Sequence, residues 1–242
     1  MIQLINTMFA FFIPAIIIAS LSNPDPFFHL KLKRSINYKQ VIITFLLIVS
    51  AIPLINLMTK RTSGFNLPDS MYNLEKVIIK MQESAEMLTK KMINTKSAGS
   101  LIINVFIMAI VPAISEEILF RGLIQKTIKK WVKNIHVAII ITGFLFSFVH
   151  FQFYGFIPRM FLGVIFGYLL YWTGSLWIPI LAHFFNNTIT LIGYHLFYNS
   201  DSEIQNPDEI GISGNMIFFW ISLVIFLILF YYFYQVMYKS RE

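Results

Sequence analysis

Seven apolar stretches divide this chain, each near the length that crosses a bilayer as a helix. They run roughly Leu4–Leu21, Val41–Met58, Ser100–Leu123, Ile135–Phe153, Arg159–Trp172, Leu176–Phe197 and Met216–Tyr238. Hydrocarbon offers the backbone no hydrogen-bond partner, so only α-helices and closed β-barrels span it. A crossing helix needs about 20 residues, a crossing strand about half that. The segment lengths therefore predict an all-α fold, a polytopic transmembrane helical bundle of about seven to eight spans. The fifth stretch is short, which suits a tilted, broken or internally packed helix.

Composition supports this reading. The chain is 57% hydrophobic and 13% charged, against about 25% charged in soluble proteins. Cysteine is absent, which excludes a disulfide framework, a thiol nucleophile and a cysteine metal site. The net charge of +7 does not point to nucleic acid as a partner. Its lysines and arginines lie between the apolar blocks, where they set topology. Lys31, Lys33, Arg34 and Lys39 follow the first span, Lys126, Lys129, Lys130 and Lys133 the third, and Lys239 and Arg241 close the chain. Seven spans put all three groups on one side and the acidic loop Asp201, Glu203, Asp208 and Glu209 on the other. The positive-inside rule then places the N-terminus outside and the C-terminus in the cytoplasm. No Lys or Arg precedes the first span, so it reads as a retained anchor rather than a signal peptide. The expected location is the plasma membrane, the inner membrane of a bacterium.

Between spans two and three, Met71, Leu74, Ile78, Met81, Ala85, Leu88 and Met92 recur at three- and four-residue steps. This is an amphipathic helix, started by Pro68, Asp69 and Ser70. It is expected to lie along the outer membrane surface, or else to cap the bundle as a soluble helix. The chain divides into an N-terminal part, 1–98, a core, 99–197, and an acidic loop with the last span, 198–242.

Glu116, Glu117 and Arg121 stand inside the third stretch, and these two glutamates are the only acids in any predicted span. A charge at mid-bilayer costs roughly 2.5–3.5 kcal/mol on insertion scales, so three in six residues need partners or a task. His150 near the end of span four, and His183 and Asn187 in span six, are further polar intrusions. Glu117 and Arg121 are one helical turn apart, as are His183 and Asn187. Glu116 and Arg121 are five apart, about 140° around a helix. This suggests that Glu117 is held by Arg121 as a structural pair while Glu116 acts elsewhere. A glutamate out of bulk water can serve as general base, and a histidine beside it can hold a water molecule and shuttle its proton. A second histidine and an amide can donate to a developing oxyanion. Two histidines and a glutamate could alternatively bind Zn²⁺ with one position left for water. The metal set would be Glu116, His150 and His183, drawn from three helices.

Glu-Glu-x-x-x-Arg, Phe-x-x-x-His and His-x-x-x-Asn, in this order over about Pro112 to Asn187, resemble the CPBP family. This is the type II CAAX prenyl endopeptidase and bacteriocin-processing (Abi) family of intramembrane proteases. The resemblance implies an all-helical hydrolase acting on peptide bonds of membrane-associated, prenylated or leader-bearing substrates. It implies that Glu116 activates water with His150 and that His183 and Asn187 stabilise the oxyanion. Members are described both as metalloproteases and as metal-independent glutamate proteases, so zinc stays open. The expected partners are a peptide or protein substrate in the membrane and the bilayer itself. A transporter or proton relay, or a catalytically silent scaffold, are the alternatives. The chain shows no internal repeat and no paired broken helices, which weighs against a transporter.

Pro112 is expected to kink span three and free a carbonyl. His136 and His195 read as interface residues, His29 as a loop residue without a role, and the aromatic run of span seven as lipid-facing or packing surface. Counted along unbroken helices, His150 falls about eight residues beyond the level of Glu116, roughly 12 Å at 1.5 Å per residue. Close packing at Gly143, a tilt or a shifted start of span four would be needed to bring them together.

Overall fold

The computed structural model describes residues 2–63, 68–93, 98–199 and 216–237. The acidic loop and the basic C-terminal residues lie outside them. The described residues form helices α1 (Leu4–Ser22), α2 (Pro26–His29), α3 (Tyr38–Ser63), α4 (Tyr72–Ile93), α5 (Gly99–Val132), α6 (Ile135–Phe148), α7 (Phe156–Thr173), α8 (Trp177–Asn199) and α9 (Ile217–Met237). Five of them, α1, α3, α5, α7 and most of α9, are long and apolar enough to cross a membrane. The helix α6 is apolar but shorter. Polar His183, Asn186 and Asn187 interrupt α8, which has the length of a span. The all-helical membrane bundle read from the sequence is the observed class.

Two clusters of buried side chains hold the bundle. Leu47, Ile48 and Ala51 of α3 meet Phe166 and Leu169 of α7, Ala182 of α8 and Phe226 and Phe233 of α9. Ala15 and Ala19 of α1 meet Ala113, Ile118 and Leu123 of α5 and Ile180 of α8. The aromatic run of α9 divides by face. Phe219, Phe226 and Phe233, seven residues apart, are buried, whereas Phe218, Trp220 and Tyr231 beside or between them are exposed. One stripe packs and the rest faces outward, as both halves of the sequence reading allow.

Without a hydrophobic driving force between helices, membrane packing rests on small residues that let backbones approach. Here α6 and α7 meet through Gly143 and Gly163. A Cβ added at Gly163 would lie 2.9 Å from the Cα of Gly143. One turn on, a Cβ at Gly167 would lie 2.9 Å from Gln125 Oε1 of α5. The bare faces of these glycines also expose their carbonyls. Arg121 donates to Gly163 O at 3.0 Å and Gln125 donates to Gly167 O at 3.3 Å. Two polar rungs thus join α5 to α7, one helical turn apart.

Helix α6 departs from expectation. It ends at Phe148, not Phe153, and its 14 residues make about 21 Å, short of the roughly 30 Å hydrocarbon core. Beyond it Phe151 takes a left-handed φ of 51°. Ser147 Oγ donates to Phe156 O at 2.6 Å, and Thr62 Oγ1 of α3 donates to Tyr154 O at 2.5 Å. These contacts fold residues 149–155 into a closed turn. Helix α7 starts earlier than read, at Phe156. The helix α4 forms where periodicity puts it, entered through a 3₁₀ turn in which Met71 N donates to Pro68 O at 2.7 Å. Met71 of that turn and Leu74 and Met81 of the helix are exposed.

Gly163→Ala should force α6 and α7 apart, because the clash is with backbone that cannot yield. Overpacking of this kind costs about 1–3 kcal/mol. Thermal unfolding of the purified protein should show a lowered Tm. Gly193→Ala in α8, where an added Cβ meets nothing within 4 Å, should leave it unchanged.

Candidate active site

The site is built on α5, whose regular winding breaks twice. Wider π-helical turns at Phe106–Ile110 and Ile118–Ile124 flank the α-helical Val111–Glu117. Such turns shift side-chain register and recur at functional sites. Pro112 sits between them without an N–H, which leaves the carbonyl four residues back, Met108 O, short of its helical donor. Asn187 Nδ2 of α8 donates to that carbonyl at 3.4 Å. The freed carbonyl expected from the sequence is therefore taken by one of the predicted site residues.

Glu117 and Arg121 form an ion pair at 2.8 Å with no exposed side-chain surface on either. The same carboxylate oxygen, Oε1, accepts from His183 Nδ1 at 2.9 Å. The guanidinium is also capped by Gly163 O and lies over the rings of Phe146 at 4.4 Å and Phe166 at 5.3 Å. Phe166 in turn stacks on the His183 imidazole at 5.3 Å. The pairing of Glu117 with Arg121 is as read from the sequence, but its grip on His183 was not foreseen. Nothing in the spacing relates α5 to α8.

Glu116 points elsewhere, as the helix geometry suggests. Its Oε2 lies 3.7 Å from His150 Nε2 and 4.0 Å from His183 Nε2. The apparent 12 Å gap to His150 comes from counting an unbroken helix. The chain instead leaves α6 at Phe148 and turns back, and His150 Nδ1 hydrogen-bonds Phe146 O at 2.7 Å. The bundle thus brings Glu116, His150 and His183 together from α5, the α6–α7 turn and α8. Asn187 follows one turn after His183 on the same face of α8.

Hydrogen-bond partners decide the tautomers. A carbonyl and a carboxylate only accept, so the Nδ1 atoms of His150 and His183 carry hydrogens. In the neutral rings both Nε2 atoms then present lone pairs toward Glu116 Oε2, which itself is buried without a hydrogen-bond partner. Three acceptors face one another with no donor between them. A water molecule, with two hydrogens, can donate to two of the three at about 2.8 Å.

This donor set also has the chemistry of a zinc site, with each imidazole anchored through its far nitrogen. The 3.7 and 4.0 Å separations are a few tenths of an ångström wider than a bound ion needs. A tetrahedral ion with bonds near 2.0–2.1 Å needs ligand atoms about 3.3–3.4 Å apart. Among the described residues no group of three His, Asp or Glu side chains is placed to hold a metal ion.

Some residues at the site do more than the sequence reading assigns them. Phe146 reads only as the first position of the Phe-x-x-x-His motif, yet its carbonyl sets the His150 tautomer. Its ring also meets His150 at 5.2 Å, His183 at 5.7 Å and Arg121. Arg159 reads only as the start of a span. Its guanidinium donates to the side-chain oxygen of Gln152 and clasps the turn that carries His150. Its charge acts on Glu116. An arginine at a predicted span end is ordinarily an interface residue, so only the fold of the turn reveals this one. His136, read as an interface residue, is exposed and bonds Tyr168 OH at 2.9 Å.

The fold and the site define a helical integral membrane protein with a buried carboxylate and two imidazoles converging in its interior. Residues 98–189 match the family described as Type II CAAX prenyl endopeptidase Rce1-like. The matched segment contains every one of the six predicted site residues. No curated protein and no solved structure matches the chain.

Glu117→Gln should lower stability more than it alters chemistry directly, because it strips the charge from the atom that holds both Arg121 and His183. Breaking a buried ion pair costs about 3–5 kcal/mol. A fall in Tm and in yield of monodisperse protein is the expected readout.

Proposed function

We propose that this protein is an intramembrane endopeptidase in which Glu116 is the general base for a water molecule. The observation that carries this is the meeting of Glu116 Oε2 with two imidazole Nε2 atoms at 3.7 and 4.0 Å. A water molecule between them can donate its two hydrogens to Glu116 and His150. The water is held by Glu116 and His150 and attacks the scissile carbonyl. Its proton passes to Glu116 and from there to the leaving amine as the tetrahedral intermediate collapses. Bond making and proton transfer balance without a covalent intermediate.

His183 and Asn187 take the oxyanion. His183 Nδ1–H is committed to Glu117, so Nε2 can donate only when it too carries a hydrogen, which takes it out of the acceptor set and leaves Glu116 Oε2 and His150 Nε2 to accept from the water. The Asn187 amide has two N–H groups. One faces Met108 O, and the other serves the oxyanion. Arg159 holds the turn that positions His150. The substrate is a membrane-associated peptide, and the family match favours one bearing a C-terminal prenyl group.

Cleavage profiling with purified protein and a panel of prenylated and unmodified peptides tests this. Glu116→Gln keeps the shape but cannot accept a proton, and should abolish cleavage at unchanged Tm. If Glu116→Gln retained wild-type cleavage, the general base would lie elsewhere. Asn187→Ala should depress kcat by about 10²–10³, the usual loss for one oxyanion donor, with KM little altered. An effect confined to KM would make Asn187 a substrate-binding residue. With water activated directly by Glu116 and His150, treatment with a strong zinc chelator should leave kcat unchanged. Loss of activity on chelation, restored by one equivalent of zinc, would replace this mechanism with a metal-assisted one.

A further inference from the structure

The segment between α1 and α3 is fastened to the bundle along its length. Leu30 is buried and its Cδ2 lies 2.7 Å from where a Cβ on Gly122 would stand. Lys31 adopts a left-handed φ of 60°. Leu176 N donates to Lys31 O at 3.2 Å, Trp177 Nε1 to Leu32 O at 2.8 Å and Ser175 Oγ to Arg34 O at 3.0 Å. Lys126 Nζ of α5 donates to His29 O. The result is a cavity of about 650 Å³ whose lining includes Asn23, His29, Lys31, Lys33, Arg34 and Lys126. Asp25 pairs with Lys33 beside it, which leaves the cavity net positive. Burial and the charges of Lys126 and Lys130 hold the His29 imidazole below its ordinary range. Charges that only set topology need to be in the loop, not folded around one cavity.

The cavity lies where membrane spans end. Asn23 follows the last residue of α1, Lys126 is in the last two turns of α5 and Gly174 closes α7. Exposed Phe28 lines it, exposed Phe27 and Trp177 stand close to lining residues in the chain, and α1, which ends beside it, carries exposed Ile17, Ile18 and Leu21. Aromatic rings of this kind sit at headgroup level, and the apolar flank offers a track for acyl chains.

We propose that this cavity binds the phosphate of an anionic phospholipid headgroup, with the acyl chains along the outer face of α1. Basic pockets between membrane helices recognise lipid headgroups in this way. A bound lipid would brace the α1–α3 segment against α5 and the α7–α8 turn.

The full-length protein purified in neutral detergent would be exposed to equal amounts of phosphatidylglycerol and phosphatidylcholine and examined by native mass spectrometry and thermal unfolding. The expected result is selective retention of phosphatidylglycerol and a raised Tm. Lys33→Gln with Arg34→Gln, both on exposed side chains, should weaken this retention roughly ten- to thirty-fold, from about 1 kcal/mol per basic residue near the surface. Arg34→Gln alone should give a part of that loss and leaves the Asp25–Lys33 pair in place. Lys129→Gln with Lys133→Gln removes equal charge outside the cavity and should retain the lipid. Equal loss in this control would overturn the proposal in favour of diffuse surface charge. Equal retention of the two lipids by the unaltered protein would also overturn it. Stabilisation by inorganic phosphate as great as by phosphatidylglycerol would assign the cavity to a soluble anion instead.

Discussion

Arg121 carries a full positive charge in the middle of a helix bundle with none of its side chain exposed. Burying a charge is costly unless every part of it finds a partner. The fold supplies Glu117 on one side, the Gly163 carbonyl on another and the rings of Phe146 and Phe166 beside it, leaving only Nε without a hydrogen-bond partner. Each partner comes from a different element or turn, so satisfying Arg121 brings α5, α6 and α7 to defined positions. Glu117 extends the same network to α8 through His183. Few apolar contacts in a membrane protein have comparable directionality, since lipid is as good a partner for leucine as another leucine is.

Glycine makes that network reachable. Only residues without a Cβ let Arg121 and Gln125 touch the backbone of α7 while α6 packs against its neighbouring face. The same close approach leaves little room for α6 to be long and straight past the site. It stops at Phe148, and the turn that follows turns His150 inward. The aromatic rings then serve two purposes. Phe146 and Phe166 shield the guanidinium from lipid, and they wall the imidazoles that face Glu116.

Two adjacent glutamates thus end in different surroundings because consecutive helical residues point about 100° apart. Glu117 holds a cation and an imidazole on its Oε1, while its Oε2 is buried without a hydrogen-bond partner. Glu116 has no hydrogen-bond partner on Oε2 and faces two nitrogens at more than contact distance. The two differ in how their partners hold them: Glu117 is tied at 2.8–2.9 Å to Arg121 and His183, whereas Glu116 faces two imidazoles across a gap. That they point apart is a property of the helix before any partner is considered.

Apolar length and the absence of water in hydrocarbon were enough to determine helices, approximate span positions and the class of fold. Charge within the third stretch singled out Glu116, Glu117 and Arg121, because such residues are too costly to be incidental. The i, i+4 rule correctly paired Glu117 with Arg121, since that relation is local. Everything that crosses between helices needed the tertiary structure. The hydrogen bond from His183 to Glu117, the clasp of Arg159 on the 149–155 turn and the carbonyl rungs on Gly163 and Gly167 join residues dozens of positions apart or depend on a turn whose geometry no periodicity encodes. The depth of His150 shows the difference most plainly. Counting residues assumes a continuous helix, and only the packed bundle shows where the helix stops and the chain bends back toward Glu116.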